Sequence, residues 1–283
     1  SHSDALKAVL GPSCDLLVWI LKAVGADTPS GMRPLQLPST WRRLFGAVTT
    51  GAIGPVIEPC LSPDQAAVAG GHCGPNIRKA YAHMTSPAPS RAPDREWLAA
   101  LCGPHHDLVW ADAAADTRAE LDSPAILFAD QNKAFERVSY PWLAAVLRRW
   151  GFDPWVLRSF LALNVGRSVV PARASSARRV RRLACSVGMG GTVSPLAWGI
   201  AYDPIIVCIH QISGCDYPTY VDDLAALIRT ALQARLASHA LVFATWCAGL
   251  AVSSHDCRRL RVRDWSQEDN ALEATLPVVV QHL

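Results

Sequence analysis

The strongest constraint in this chain is a set of acidic residues placed at the ends of apolar runs. Ala125-Ile126-Leu127-Phe128-Ala129 is a short continuous apolar run that stops at Asp130. About ninety positions later, Asp222-Asp223 separates two more apolar runs, Tyr217 to Val221 and Leu224 to Ile228. Runs of this length with polar ends read as buried strands, and the later pair reads as a hairpin. Between them, Pro141 to Trp150, Pro154 to Asn164 and Pro195 to Ile212 carry apolar residues at helical spacing, the last opened by a Ser-Pro pair. After the hairpin, Ala231 to Gly249 reads as a helix stopped by glycine, and Leu250 to Val252 as the start of a last strand. Strand, helices, hairpin, helix, strand is the split βαβ order of a ferredoxin-like antiparallel sheet with helices on one face, hence an α+β fold. In that topology the first strand lies antiparallel beside the third, so Asp130 is expected to meet Asp222 and Asp223.

Composition supports a folded core. Half of the 283 residues are apolar, 18% are charged, and the formal net charge is +3, which excludes a disordered or supercharged chain. Mean hydropathy is +0.14, and the uncharged stretch Leu183 to Tyr202 is long enough to span a bilayer. It holds Gly188, Gly190, Gly191, Pro195 and Gly199, a turn-rich composition that would leave backbone groups unpaired in lipid, so no membrane association is expected. Nine cysteines occur with no Cys-x-x-Cys, and Ser1 to Ile20 does not read as a secretory leader. Reduced thiols in an intracellular protein, nuclear or cytoplasmic and not secreted, follow as the expectation. His72-Cys73 with His255-Asp256-Cys257 makes a poor zinc site, because zinc modules pair ligands two to four residues apart.

Upstream, Cys14 to Val24 is an apolar segment that fits either a helix or a strand. Gly25 to Gly31 is turn-rich, and Arg33 to Pro38, with prolines near both ends, suggests an edge strand. Trp41 to Ile57 has helical apolar spacing, weakened near its end by Gly51 and Gly54. Thr85 to Pro93 is the clearest breaker and marks a boundary. The expected division is residues 1–90, a linker or insertion at 91–122, a sheet-bearing domain at 123–257, and a C-terminal segment at 258–283.

Carboxylates that converge without His or Cys suit Mg²⁺, which takes one or two carboxylates and completes its shell with water and phosphate oxygens. Two such ions, with Mn²⁺ a substitute, stabilise the attacking and leaving oxygens of an in-line phosphoryl displacement, so phosphoryl or nucleotidyl transfer is the expected reaction. Charge placement agrees. From Arg137 to Arg182 there are ten arginines and one acid, Asp153, and six of the arginines lie between Arg167 and Arg182. Such a stretch, with Arg167, Arg178, Arg179, Arg181 and Arg182 as its candidate contacts, suits a nucleic-acid backbone; a solvated arginine-rich loop is the plainer reading.

Several blocks resemble the reverse transcriptases of non-LTR retrotransposons and group II introns. Asp130-Gln131-Asn132-Lys133-Ala134-Phe135-Glu136-Arg137-Val138 is similar to their Asp-x-x-Lys-Ala-Phe-Asp-x-Val segment, and Tyr220-Val221-Asp222-Asp223 to their Tyr-x-Asp-Asp box. Val187 to Leu196 resembles the Gln-Gly-x-x-x-Ser-Pro segment. Arg33-Pro34-Leu35 and Gln65-Ala66-Ala67-Val68 resemble fingers blocks, and Gly249 to Val252 the block after the catalytic hairpin. The resemblance covers about residues 14 to 257, with the blocks in the family's order. It implies a right-hand polymerase with a fingers subdomain before the palm. Asp130 and Asp222 would hold the two metal ions with Asp223 in support, and the partners would be an RNA template, a DNA primer and a dNTP. It implies that Phe135 lies under the deoxyribose, that Arg33 and Lys22 grip the triphosphate, and that Met189, Gly190, Ser194 and Pro195 lie near the incoming base.

The departures from the family pattern are local. Met189 stands where the family has Gln, Glu136 replaces an Asp, and Ser253 and Asp256 occupy the region where the family places Asn and Lys. No endonuclease or ribonuclease H pattern is read, and few residues follow Asp223 for a thumb, which suggests a portion of a retrotransposon polyprotein. A decayed domain that binds nucleic acid without chemistry is the competing reading. A nucleotide cyclase is a third, disfavoured by the fingers-like blocks at Arg33 and Gln65.

Overall fold

The computed structural model describes residues 14–21, 32–66, 68, 71–85, 94–105, 107, 124–165, 167–171, 181–253, 256–261, 267 and 281–282. The chain packs into two compact units, each drawn from two separated stretches: residues 1–60 with 135–201, and 61–134 with 202–283.

In the first unit, the segment that fitted either a helix or a strand is strand β1 (Cys14–Leu21). It pairs antiparallel with β2 (Met32–Leu37), from Leu16↔Leu37 to Leu21↔Met32. β2 is the edge strand of this sheet, which is where Pro34 is tolerated, because an edge strand can spare a ladder donor. Helix α1 (Thr40–Ile57) starts at Ser39, whose Oγ accepts from the Arg42 N–H, and it runs past Gly51 and Gly54 to its expected end. The helices Tyr140–Arg149 and Pro154–Asn164 belong here too, together with β4 (Ser168–Pro171) and β5 (Arg181–Arg182). These two strands extend the sheet in the order β2-β1-β4-β5, with β4 parallel to β1.

The second unit carries α2 (Gly74–Thr85) and α3 (Arg95–Cys102), then β3 (Ala125–Ala129). The boundary expected at Thr85 to Pro93 falls, beyond Thr85, outside the described residues. A short helix α4 (Ala134–Arg137) leads into α5 (Tyr140–Arg149) and α6 (Pro154–Asn164) of the first unit, each with proline in its first turn, where the missing N–H costs nothing. α7 (Ser194–Ser213) passes from the first unit to the second. It is buried along most of its length, with Trp198, Ile200, Ile205, Ile206, Ile209 and Ile212 at 2% exposure or less. No helix among the described residues is long and apolar enough to cross a membrane; the uncharged stretch Leu183 to Tyr202 divides into a turn-rich connection and the start of α7.

β6 (Thr219–Tyr220), β7 (Asp223–Ile228), α8 (Ala231–Cys247), β8 (Arg258–Arg261) and β9 (Gln281–His282) complete the second unit. α8 opens with a capping box between Thr230 and Gln233. The sheet order is β6-β7-β3-β8-β9, with antiparallel pairing from β6 through β8 and β9 parallel to β8. β6 to β8 reproduce the expected split βαβ arrangement. The last strand differs from the expectation: Val252 makes only an isolated bridge to Gln131, and the strand beside β3 is Arg258–Arg261. Its polar sequence hid it from a reading based on apolar runs. The packing of α2 on this sheet puts Ala80 and Met84 against Ile126, Ala225 and Leu227. Cys60, Cys73, Cys185, Cys215, Cys247 and Cys257 are free thiols.

Candidate active site

The register of the second sheet decides where its acids lie. β3 and β7 pair from Ala125↔Ile228 to Ala129↔Leu224, so Asp130, one residue past β3, stands at the sheet end where β7 begins with Asp223. β6 and β7 pair at Tyr220↔Asp223, which leaves Val221 and Asp222 as the two-residue turn. Asp130 and Asp222 are half-buried, and Asp223 is exposed. Burial first, and then the Asp222, Asp256 and Asp223 carboxylates, push the pKa of Asp130 up from its ordinary value. The backbone is held on the other side by Ala251 to Ser253: Ser253 N–H donates to the Asp130 carbonyl, and Asn132 N–H to that of Ala251, both at 2.8 Å. Next to Asp130, the buried Gln131 donates to the Tyr202 hydroxyl at 3.0 Å, and its Oε1 has no partner.

Among the described residues, Asp64, His210 and Asp216 bring their ligand atoms within 4.8 Å of one another, and Asp130, Asp222 and Asp223 do not form so tight a threesome. The tight group already has its cation. Lys79 Nζ lies 2.5 Å from Asp64 and 4.0 Å from Asp216, and His210 Nδ1 is 2.7 Å from the Cys215 carbonyl. It is an ion-pair cluster before the hairpin. The strand-end acids fit a divalent ion better. They offer carboxylate oxygen only, they are partly open to water, and their crowding raises the proton affinity of Asp130, which a cation would offset.

In the first unit the connection before α7 is tightly specified. Gln36 N–H donates to the Met189 carbonyl at 2.8 Å. Gly190 has φ 102°, and a Cβ there would lie 2.6 Å from the Gln36 carbonyl oxygen. Gly188 has φ 69° and lies so close to the Arg167 guanidinium that a Cβ would overlap it. Ser194 Oγ is shared between the Val187 and Gly188 carbonyls. Phe135 is half-buried and stacks on Trp198, with centroids 5.6 Å apart and planes at 24°. Arg33 is exposed on β2, opposite Ile20.

The arginine stretch needs a correction. Arg167, expected to track a phosphate backbone, is 2% exposed, and its Nε and Nη2 both donate to Asp15 Oδ2 on β1. A desolvated guanidinium committed to a buried carboxylate cannot also face nucleic acid. Arg181 and Arg182 are exposed on β5. Lys22, Arg178 and Arg179 lie outside the described residues. Arg33, Phe135, Met189, Gly190 and Arg167 thus fall in the first unit, and Asp130, Asp222 and Asp223 in the second. Sequence reasoning missed Asp15 as the partner of Arg167, Trp198 as the support for Phe135, and Asp256 as a charge acting on Asp130. An unmatched acid inside an apolar strand was the available signal for Asp15.

A mixed helix and strand fold with an antiparallel sheet and acids at its strand ends is the architecture of the right-hand polymerases. The chain belongs to the reverse transcriptase (RNA-dependent DNA polymerase) family, whose model matches residues 26–260. Among solved structures, it is similar to the telomerase from Candida albicans in complex with a TWJ fragment of telomeric RNA. The TM-score is 0.57 at 11% identity, over 90% of this chain and 42% of that one, so the chain spans less than half of that protein's length. No curated protein sequence matches it.

Proposed function

We propose that the chain is the fingers-and-palm core of an RNA-directed DNA polymerase of the non-LTR retrotransposon or group II intron type, part of a larger polyprotein. Residues 1–90 would be fingers-like and 123–257 palm, with the strand Arg258–Arg261 completing the palm sheet beside β3. The observation that carries this reading is the register that puts Asp130 at the same sheet end as Asp222 and Asp223. Asp130 and Asp222 would hold two Mg²⁺ ions, with Asp223 in support. Bound there, such ions would supply charge neutralisation for nucleotidyl transfer.

The protein's own part is positioning. β3 and the β6–β7 hairpin fix the carboxylates before substrate arrives, so little reorganisation remains at the moment of reaction. Phe135, backed by Trp198, offers a flat apolar wall suited to excluding a 2′-hydroxyl. Arg33, exposed on the edge strand, is available for triphosphate oxygens. The partners would be an RNA template, a DNA primer and a dNTP. The telomerase neighbour, itself in complex with RNA, supports the template class.

The test is Mg²⁺-dependent dNTP incorporation on a primed RNA template, lost in Asp222→Ala. A wild-type chain without incorporation, indistinguishable from Asp222→Ala, overturns the reading. Two observations favour the alternative, a domain that binds nucleic acid without chemistry. Met189 removes a family amide, and Asp256 adds a negative charge that acts on Asp130 where the family places a lysine nearby. Salt-dependent RNA binding that persists in EDTA, without incorporation, selects it.

A further inference from the structure

Val221 is the first residue of the hairpin turn and has φ 58°. Hairpins ordinarily place glycine at such a position. For a β-branched residue a positive φ is strained and persists only where the surroundings enforce it. What enforces it here comes from Asp64 to Ala66, in the same unit. Thr219 N–H donates to the Asp64 carbonyl at 2.7 Å, Ala66 N–H donates to the Thr219 carbonyl at 2.8 Å, and Gln65 makes a parallel bridge to Thr219. This segment lies along the free edge of β6. From it, the Gln65 side chain, 5% exposed, reaches the turn. Its Oε1 accepts from the Val221 N–H at 3.2 Å, and its Nε2 donates to the Val221 carbonyl at 3.4 Å.

One amide therefore satisfies both main-chain groups of the strained residue that precedes Asp222. Glutamine is suited to this because it has a donor and an acceptor at the end of one side chain. Glutamate would present a second acceptor to the Val221 carbonyl, and methionine would present neither group. The block that contains Gln65, which its resemblance assigns to the fingers, is tied in the structure to the catalytic hairpin.

We infer that Gln65 is a positioning residue that holds the Val221–Asp222 turn in its strained conformation and so sets the direction of the Asp222 carboxylate. This rests on Asp222 being a metal carboxylate, and the experiment separates the two claims. In the full chain, hydrogen exchange at the Val221 amide is compared between wild type and Gln65→Met. The expected result is exchange about tenfold or more faster at Val221, with the Leu224–Ile228 amides unchanged. Unchanged exchange at Val221 overturns the clamp, whatever the chain catalyses.

Mn²⁺ serves as the probe ion for the second arm, followed by its paramagnetic resonance. Its dissociation constant should weaken about 10–100-fold in Gln65→Met, as for other groups that orient metal ligands. In a primer-extension assay kcat should fall with the KM for dNTP unchanged. Gln65→Glu, which keeps the shape and one acceptor, should be intermediate. Val221→Gly, which relieves the strain, should restore much of the loss in the Gln65→Met background, a rescue that a purely structural role for Gln65 does not predict. Faster exchange with unaltered Mn²⁺ affinity overturns the positioning role. Absence of Mn²⁺ binding in wild type overturns the metal reading and the positioning role with it, and leaves the clamp to the exchange result alone.

Discussion

In the first unit, Arg167 and Asp15, 2% and 1% exposed, match each other in one buried ion pair beneath Gly188. In the second unit, Asp130 is half-buried and feels three other carboxylates. The two arrangements answer to different demands. A matched buried pair fixes a loop and needs nothing from outside the chain. A gathering of like charges raises the free energy of the isolated protein and is relieved when a cation arrives. The first should be sensitive to mutation in its stability, the second in its activity, and substitutions can pull these two responses apart.

The largest effect is expected at Asp222. Asp222→Asn should lower primer extension by a factor on the order of 10³ or more, the scale of losing one preorganised electrostatic group in a polymerase-type site. Thermal unfolding should hold or rise slightly, since one like charge beside Asp130 is gone. A fall in the unfolding midpoint would mean that Asp222 is a structural residue and that the contrast between the two regions is false.

Arg167→Met should do the reverse. It strands Asp15 in the core, and removing one partner of a buried pair costs about 3–5 kcal/mol. Urea unfolding should show that loss, and Asp15→Leu with Arg167→Met should recover most of it, because the double variant leaves no unpaired charge. If the double variant is as unstable as the single, the pair is not the source of the stability.

How much of this could be read from the sequence divides along the same line. The sheet of the second unit was legible because β3 and β7 are apolar runs bounded by acids, and because the split βαβ order brings Asp130 toward Asp222 and Asp223. The strand Arg258–Arg261 was not legible, because three of its four residues are arginine and no apolar run marks it. The role of Arg167 was misread for a related reason. Within an arginine-rich stretch, one buried guanidinium looks like its exposed neighbours, and its partner Asp15 lies 152 residues away. The Gln65 contact was hidden too, because a positive φ at Val221 leaves no trace in composition. Local pattern reports which residues face a core, whereas pairing between distant polar side chains depends on packing that spacing does not encode.

Gly190→Ala tests the loop itself. The methyl would enter the left-handed region and press on the Gln36 carbonyl oxygen, 2.6 Å from an ideal Cβ. A loss of about 1–3 kcal/mol is expected in urea unfolding, smaller than at Arg167 because no buried charge is stranded. A neutral result would show that the Gln36–Met189 contact is loose.

The smallest effect concerns pH at the acidic end. The Asp130 pKa is raised on folding, so between the ordinary carboxylate value and the raised one the folded state binds more protons than the unfolded chain. Stability should therefore be fullest below the ordinary value, fall as pH rises through the window, and stay reduced above it. Asp256→Asn removes one of the charges that raise this pKa and should flatten the fall by a few tenths of a kcal/mol, the scale for an exposed charge. Urea unfolding in EDTA between about pH 4 and 7 measures this, and parallel curves for wild type and Asp256→Asn would show that Asp130 does not feel Asp256. Repeating the series with Mg²⁺ sharpens the contrast with the first unit. An ion that binds only the folded chain stabilises it by mass action, increasingly as the carboxylates ionise, so the slope at the acidic end should reverse, an effect that the buried pair of the first unit, already closed on itself, has no means to produce.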